Sequence, residues 1–124
     1  MRTLLVVDDY ESVRQLMAFL FARPGWRVCV VGSGRVALEL SVRERVDAAL
    51  IDVHMPGLDG FQTCAALQGQ MEETGRFFPV WLMTAAVSEA AKRKAVEAGA
   101  EALLDKLDVP MDFAEILERY FATQ

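Results

Sequence analysis

The sequence predicts an α/β domain with five parallel strands in one sheet and helices covering both faces. Three observations lead there. Short β-type runs, largely apolar, recur at Leu4–Val7, Arg27–Val31, Ala48–Ile51, Val80–Met83 and, more weakly, Ala102–Leu104. They are continuous rather than alternating, as suits strands buried on both faces. Helical patterns lie between them, and turn-forming residues mark the joints.

Each element has its own signal. Val13, Leu16, Met17 and Leu20 follow the i, i+3, i+4, i+7 spacing of a first helix, and Pro24-Gly25 ends it before the second strand. Gly32-Ser33-Gly34 separates that strand from a second helix, with Ser33 as its N-cap and Val36, Ala37 and Leu40 as its stripe. A nucleotide-loop reading of Gly32-Ser33-Gly34 fails, because the third glycine and the first-strand position are both missing. Pro56-Gly57 and Gly60 follow the third strand, and Phe61, Cys64 and Ala65 give the third helix a short stripe. The segment Ser88–Ala98 is rich in alanine and charge, hence helical by propensity with a thin apolar face, and Gly99 caps it. Phe113, Ile116, Leu117 and Tyr120 give the last helix its face. The result is a (βα)5 unit over residues 1–124, read as one domain without linker, repeat or low-complexity stretch. Right-handed crossovers then put helices on both sides of the sheet.

Composition narrows the function. At 124 residues the chain buries one core. Apolar residues at 53% and charged residues at 25% mark a globular chain. The net charge of -5 argues against direct nucleic-acid binding, which needs clustered Lys and Arg. No apolar run approaches the ~20 residues of a membrane helix, and the N-terminus enters a strand pattern without a signal-peptide signature. Cys29 and Cys64 lack metal-like spacing; both are expected as small core residues in a reducing, cytoplasmic setting.

In open parallel sheets, ligands bind beyond the carboxyl ends of the strands. Asp8 and Asp9 close the first strand, Asp52 the third and Thr84 the fourth, and Lys106 follows the fifth. Taken singly, these are a strand-end turn, a β-former and a surface lysine. Taken together, they put three carboxylates at one edge, where each resists ionisation of the others. A hard divalent cation removes that conflict, and Mg2+ needs few protein ligands because it keeps several waters. Lys106 adds a point charge and Thr84 a hydroxyl, both suited to a phosphoryl group. Asp52, on the middle strand before a Pro-Gly loop, is the candidate nucleophile, since a carboxylate can form an acyl phosphate. Asp8 and Asp9 are then metal ligands, one of them through water.

With Asp8-Asp9, the run Asp52-Val53-His54-Met55-Pro56-Gly57-Leu58-Asp59-Gly60, Thr84-Ala85 and Lys106 in place, the chain resembles a response-regulator receiver domain of two-component signalling, over essentially its whole length. The resemblance implies a flavodoxin-like sheet of order 2-1-3-4-5. It implies that Asp52 is the phosphoacceptor for a phosphohistidine on a sensor histidine kinase or phosphotransfer protein. It implies Mg2+ held by Asp9, Asp52 and the backbone carbonyl of His54, with Asp8 acting through water. Thr84, Lys106 and the backbone N–H groups of His54 and Ala85 would contact the phosphoryl group. Output would leave through the face of the fourth helix, fifth strand and fifth helix, toward a downstream protein or an output domain absent from this chain. The module would be no enzyme beyond its own phosphorylation and dephosphorylation.

Two positions depart from the family. Leu103 stands where an aromatic switch residue is usual, and Leu107 follows the lysine where a cis proline is usual. A non-proline cis bond costs ~2.5–4 kcal/mol, so either a trans peptide with a shifted loop or a strained cis bond is expected. These departures suggest an alternative, a receiver that binds its partner independently of phosphate. A third reading, a Mg2+-dependent phosphatase, expects a second acid two residues after the nucleophile, where this chain has His54. His54, the sole histidine, is expected to be exposed beside the pocket, modulating phosphoryl lifetime, and the small Ala86 to leave water a path. Lys92-Arg93-Lys94 reads as a solvated helix face or a docking surface. Trp26 and Trp81 read as apolar strand residues.

Overall fold

A computed structural model describes residues 1–122; Thr123 and Gln124, which the one-domain reading also includes, lie outside the described residues. The elements alternate as β1 (Arg2–Val7), α1 (Glu11–Phe21), β2 (Trp26–Val31), α2 (Gly34–Arg43), β3 (Ala48–Asp52), α3 (Gly60–Thr74), β4 (Val80–Thr84), α4 (Glu89–Ala98), β5 (Ala102–Asp105) and α5 (Val109–Ala122). The strands form one parallel sheet of order β2-β1-β3-β4-β5. Strand order reverses between β1 and β3, which is where such sheets bind ligands.

Side chains alternate across each central strand and so divide the core in two. Leu5, Val7, Ala49, Ile51, Val80 and Leu82 face one way and meet Ala37 of α2, Cys64, Leu67 and Met71 of α3, and Ala95 and Ala98 of α4. Leu4, Val6, Ala48, Leu50, Trp81 and Met83 face the other and meet Met17 and Phe21 of α1 and Val109, Phe113 and Leu117 of α5. Burial on both faces explains why the strand sequences are continuous apolar runs.

The caps match the sequence reading at α2, where Ser33 Oγ accepts the Val36 N–H, and at α4, where Gly99 closes the helix at φ 92°. Burial corrects it in four places. Leu16 and Val36 are exposed, and the buried positions beside them are Met17 with Phe21, and Ala37. Ala65 faces solvent, and α3 buries Cys64, Leu67 and Met71 instead. Cys29 is only half-buried, because β2 is an edge strand, whereas Cys64 is a core residue whose thiol donates to the Ala98 carbonyl at 3.3 Å. Trp81 is buried and Trp26 partly so.

Candidate functional site

Strand register assembles the site. Val7 pairs with Ile51, so Asp8 and Asp52 emerge side by side just beyond that pair. Thr84 pairs with Asp105, and the Lys106 N–H donates to the Thr84 carbonyl at 2.9 Å, which delivers the lysine to the same edge. Asp8, Asp9 and Asp52 each present a carboxylate oxygen within 4.8 Å of the others. Lys106 Nζ lies 2.7 Å from Asp8 Oδ2 and 3.2 Å from Asp52 Oδ2, bridging the two strand ends.

Burial makes these charges consequential. Asp8 and Asp52 are buried, and Lys106 is largely so. Asp8 Oδ2 meets the ammonium as an ion pair rather than an aligned hydrogen bond, while Asp8 Oδ1 accepts the Tyr10 N–H at 2.9 Å. Asp9 Oδ1 is buried with no hydrogen-bond partner among the described residues. A buried polar atom left so is unfavourable and calls for a partner. Loss of water pushes the Asp52 carboxyl above its ordinary value; the Lys106 charge opposes this, Asp8 adds to it, and hydrogen bonds from the Lys106 side chain and the His54 backbone pull it back down. Burial alone would lower Lys106, but contact with the Asp8 carboxylate and the charges of Asp52 and Asp8 outweigh it, so the ammonium is held more firmly than usual.

The loop after β3 follows from local chemistry. Asp59 caps α3 by accepting the Gln62 N–H at 2.8 Å, while the Gln62 side chain accepts the Asp59 N–H at 2.9 Å. Gly60 is required by close approach: a Cβ there would sit 2.5 Å from the Asp52 carbonyl oxygen. The Asp-Gly pair ending the sequence motif thus seats α3 directly against the backbone of Asp52. Thr84 is buried, and its Oγ1 accepts the Ala86 N–H at 3.1 Å. His54 is exposed, as expected, and so is Ala86.

The departures at the fifth strand also resolve. Among the described residues there is no cis peptide, so the bond after Lys106 is trans. The Leu107 N–H donates to Asp105 Oδ1 at 3.0 Å, a bond no proline can make. Leu103 is partly buried against the α2–α4 side of the core. Sequence reasoning missed Arg14, whose guanidinium donates to the Asp8 carbonyl at 2.8 Å, and Tyr10, whose ring lies 5.9 Å from Lys106 Nζ. For both, the available signal was only their nearness in sequence to Asp8-Asp9, at the turn into α1. The cavity of about 600 Å³ beside Arg45, Asp47 and Phe78 includes none of the sequence-predicted site residues.

Fold and edge chemistry define a doubly wound α/β domain with an acidic pocket at its switch point. The chain belongs to the response regulator receiver domain family, whose pattern it matches over residues 4–120. It is 35% identical over 116 residues to the response regulator MprA of Mycolicibacterium vanbaalenii, covering 94% of this chain and 47% of that protein. It is 32% identical over 115 residues to the sensory/regulatory protein RpfC of Xanthomonas campestris, covering 93% of this chain and 15% of that protein. The chain thus spans half or less of these curated relatives. Among solved structures, chemotaxis protein CheY4 of Vibrio cholerae superposes with a TM-score of 0.86 at 30% identity, over 96% of this chain and 98% of that one. The receiver domain of the histidine kinase CKI1 from Arabidopsis thaliana, complexed with Mg2+ and BeF3-, shares the fold at a TM-score of 0.83 and 22% identity, over 98% of this chain and 90% of that one. No helix among the described residues is long and apolar enough to cross a membrane.

Proposed function

We propose that this chain is a phosphoacceptor receiver: Asp52 takes a phosphoryl group from the phosphohistidine of a sensor histidine kinase or phosphotransfer protein, with Mg2+ as cofactor. The observation that carries this reading is the carboxylate triad within 4.8 Å, one of whose buried oxygens, Asp9 Oδ1, has no partner among the described residues. The donor set is all oxygen, which suits Mg2+. Asp9, Asp52 and the His54 backbone carbonyl would hold the ion, with Asp8 acting through water. When bound, the ion neutralises charge that carboxylates and phosphoryl oxygens would otherwise oppose to one another.

The chain's own residues do the rest. An Asp52 carboxylate oxygen attacks phosphorus, the phosphorus–nitrogen bond breaks, and its electron pair returns to the donor imidazole, which takes up a proton. Lys106, already 3.2 Å from Asp52 Oδ2, follows the new negative charge. The Thr84 hydroxyl accepts from Ala86, which leaves its own proton to donate to a phosphoryl oxygen. The backbone N–H groups of His54 and Ala85 are further donors. These shifts pull on the loops after β4 and β5 and bias the face of α4, β5 and α5, on which a protein partner or an attached output domain would read the state. Leu103, packed toward α4, changes rotamer in place of an aromatic. The module acts on itself rather than on an outside substrate, and a cytoplasmic setting agrees with its unpaired cysteines.

The test is intact-mass measurement after exposure to acetyl phosphate. Wild type with Mg2+ gains one phosphoryl mass; wild type without Mg2+, and Asp52→Ala with it, do not. A wild type left unmodified at saturating Mg2+ overturns the reading. A partner that binds equally before and after labelling favours the phosphate-independent alternative.

A further inference from the structure

Arg14 lies outside the acidic pocket, yet its contacts end there. The fourth residue of α1, it reaches back so that Nη1 donates to the backbone carbonyl of Asp8 at 2.8 Å. The α1 N-cap residue, Tyr10, provides no side-chain cap. The turn between β1 and α1 is instead held by the Asp8 N–H to the Val31 carbonyl at 3.1 Å, Tyr10 N–H to Asp8 Oδ1 at 2.9 Å, and the Arg14 guanidinium. The neighbouring loop leaves room for it: a Cβ on Gly32 would lie 3.0 Å from Arg14 Nη1. Gly32 has no positive φ to explain it among the described residues, so this close approach is the constraint the structure offers for a glycine there.

We propose that Arg14 is the positioning residue of the divalent-cation site, fixing the Asp8 carbonyl and thereby the direction in which the next residue, Asp9, presents its unpartnered oxygen. The inference rests on the Mg2+ reading above and deepens it. Its sign separates it from a bland electrostatic role. A cation beside three carboxylates repels a metal ion, so removing its charge should tighten Mg2+ binding if charge were all it supplied. Removing an orienting hydrogen bond should weaken binding, by roughly tenfold or more, as for other outer partners of metal ligands.

The probe is MgCl2, titrated into the metal-free protein by calorimetry and by amide chemical shifts of residues 8–10. Arg14→Met removes charge and hydrogen bond while keeping a similar stem. Gly32→Ala keeps the charge but crowds the guanidinium, a flexible end that must give by a few tenths of an ångström and so loosens its hold on the Asp8 carbonyl without unfolding the chain. Both variants are expected to bind Mg2+ more weakly, Gly32→Ala by less, and the double variant no more weakly than Arg14→Met, because both act on one contact. Arg14→Lys, which restores the charge without the planar fork, should not restore wild-type affinity. Unchanged or tighter binding by Arg14→Met overturns the proposal, as do additive effects in the double variant. Wild type that binds no Mg2+, or Asp9→Asn that binds as wild type does, would instead overturn the underlying metal site. Thermal melts without metal identify any variant that is unfolded, in which case Gly32→Ala alone decides by its direction.

Discussion

Lys106→Met removes the only cation within ion-pair distance of the acidic triad among the described residues. At an effective dielectric of about 20, two carboxylate charges at the 4.8 Å limit repel by about 3.5 kcal/mol. Removing one partner of a buried ion pair typically costs about 3–5 kcal/mol. Lys106 keeps 21% of its side chain in solvent, so screening brings the expected loss to about 2–3 kcal/mol. For a chain of this size that is a fall of about 6–15 °C in melting temperature without metal. Mg2+ should close most of the gap, because a divalent ion supplies the missing counter-charge and binding to the folded state raises its stability. The assay is thermal melting by circular dichroism, with EDTA and with Mg2+, for wild type and Lys106→Met. A variant that melts within 1–2 °C of wild type in EDTA would refute the reasoning. So would a Mg2+ increment no larger than that of wild type.

Asp52→Asn should raise stability at neutral pH without metal, since burial already disfavours the Asp52 charge. The sign follows from linkage: a carboxyl whose folded pKa is raised contributes stability below its ordinary value of 3.8 and loses it as pH rises through the elevated folded value. Melts from pH 3 to 8 should therefore show the advantage of the Asn variant growing with pH, and a constant offset contradicts this. Gly60→Ala forces a Cβ to within 2.5 Å of the Asp52 carbonyl oxygen and should lower stability by at least about 1–3 kcal/mol in chemical denaturation. Ala86→Gln should slow loss of phosphate from Asp52 by obstructing water at this exposed position, which a decay time course would record; equal rates exclude that path.

Most of the fold is legible in the sequence because burial on both faces of a parallel sheet demands uninterrupted apolar strands. Leu4–Val7 and Ala48–Ile51 could hardly be anything else. Helix faces were less legible. Leu16 and Met17 are adjacent and both apolar, and only the packing against α5 decides that Met17 turns inward. Ala65 was a poor marker of the α3 face because alanine suits either side of a helix; the true stripe runs on through Leu67 and Met71. The pocket residues were legible because strand ends in one parallel register must gather. Arg14 was not, because its part is played through a backbone carbonyl, which leaves no trace in the side chains around it. Nor does the chain betray the hydrogen bond that occupies Leu107, since its acceptor, Asp105, reads as one more acidic loop residue.

The two halves of the interior differ in kind. Under α1 and α5, edge-to-face rings run without a break from Phe21 through Phe113, Trp81, Tyr120 and Phe121 to Trp26, with centroids 5.1–5.4 Å apart. Under α2, α3 and α4 the filling is mostly aliphatic, with small alanines at the α4 contact. Edge-to-face rings hold preferred mutual orientations, a directional preference that aliphatic side chains lack. Displacement begun at the acidic edge should therefore meet more orientational resistance where α5 is ring-bound than at the aliphatic α4 contact, so that α4 shifts further than α5. Both tryptophans sit in the ring-bound flank, so their near-ultraviolet dichroism should report how far α5 follows.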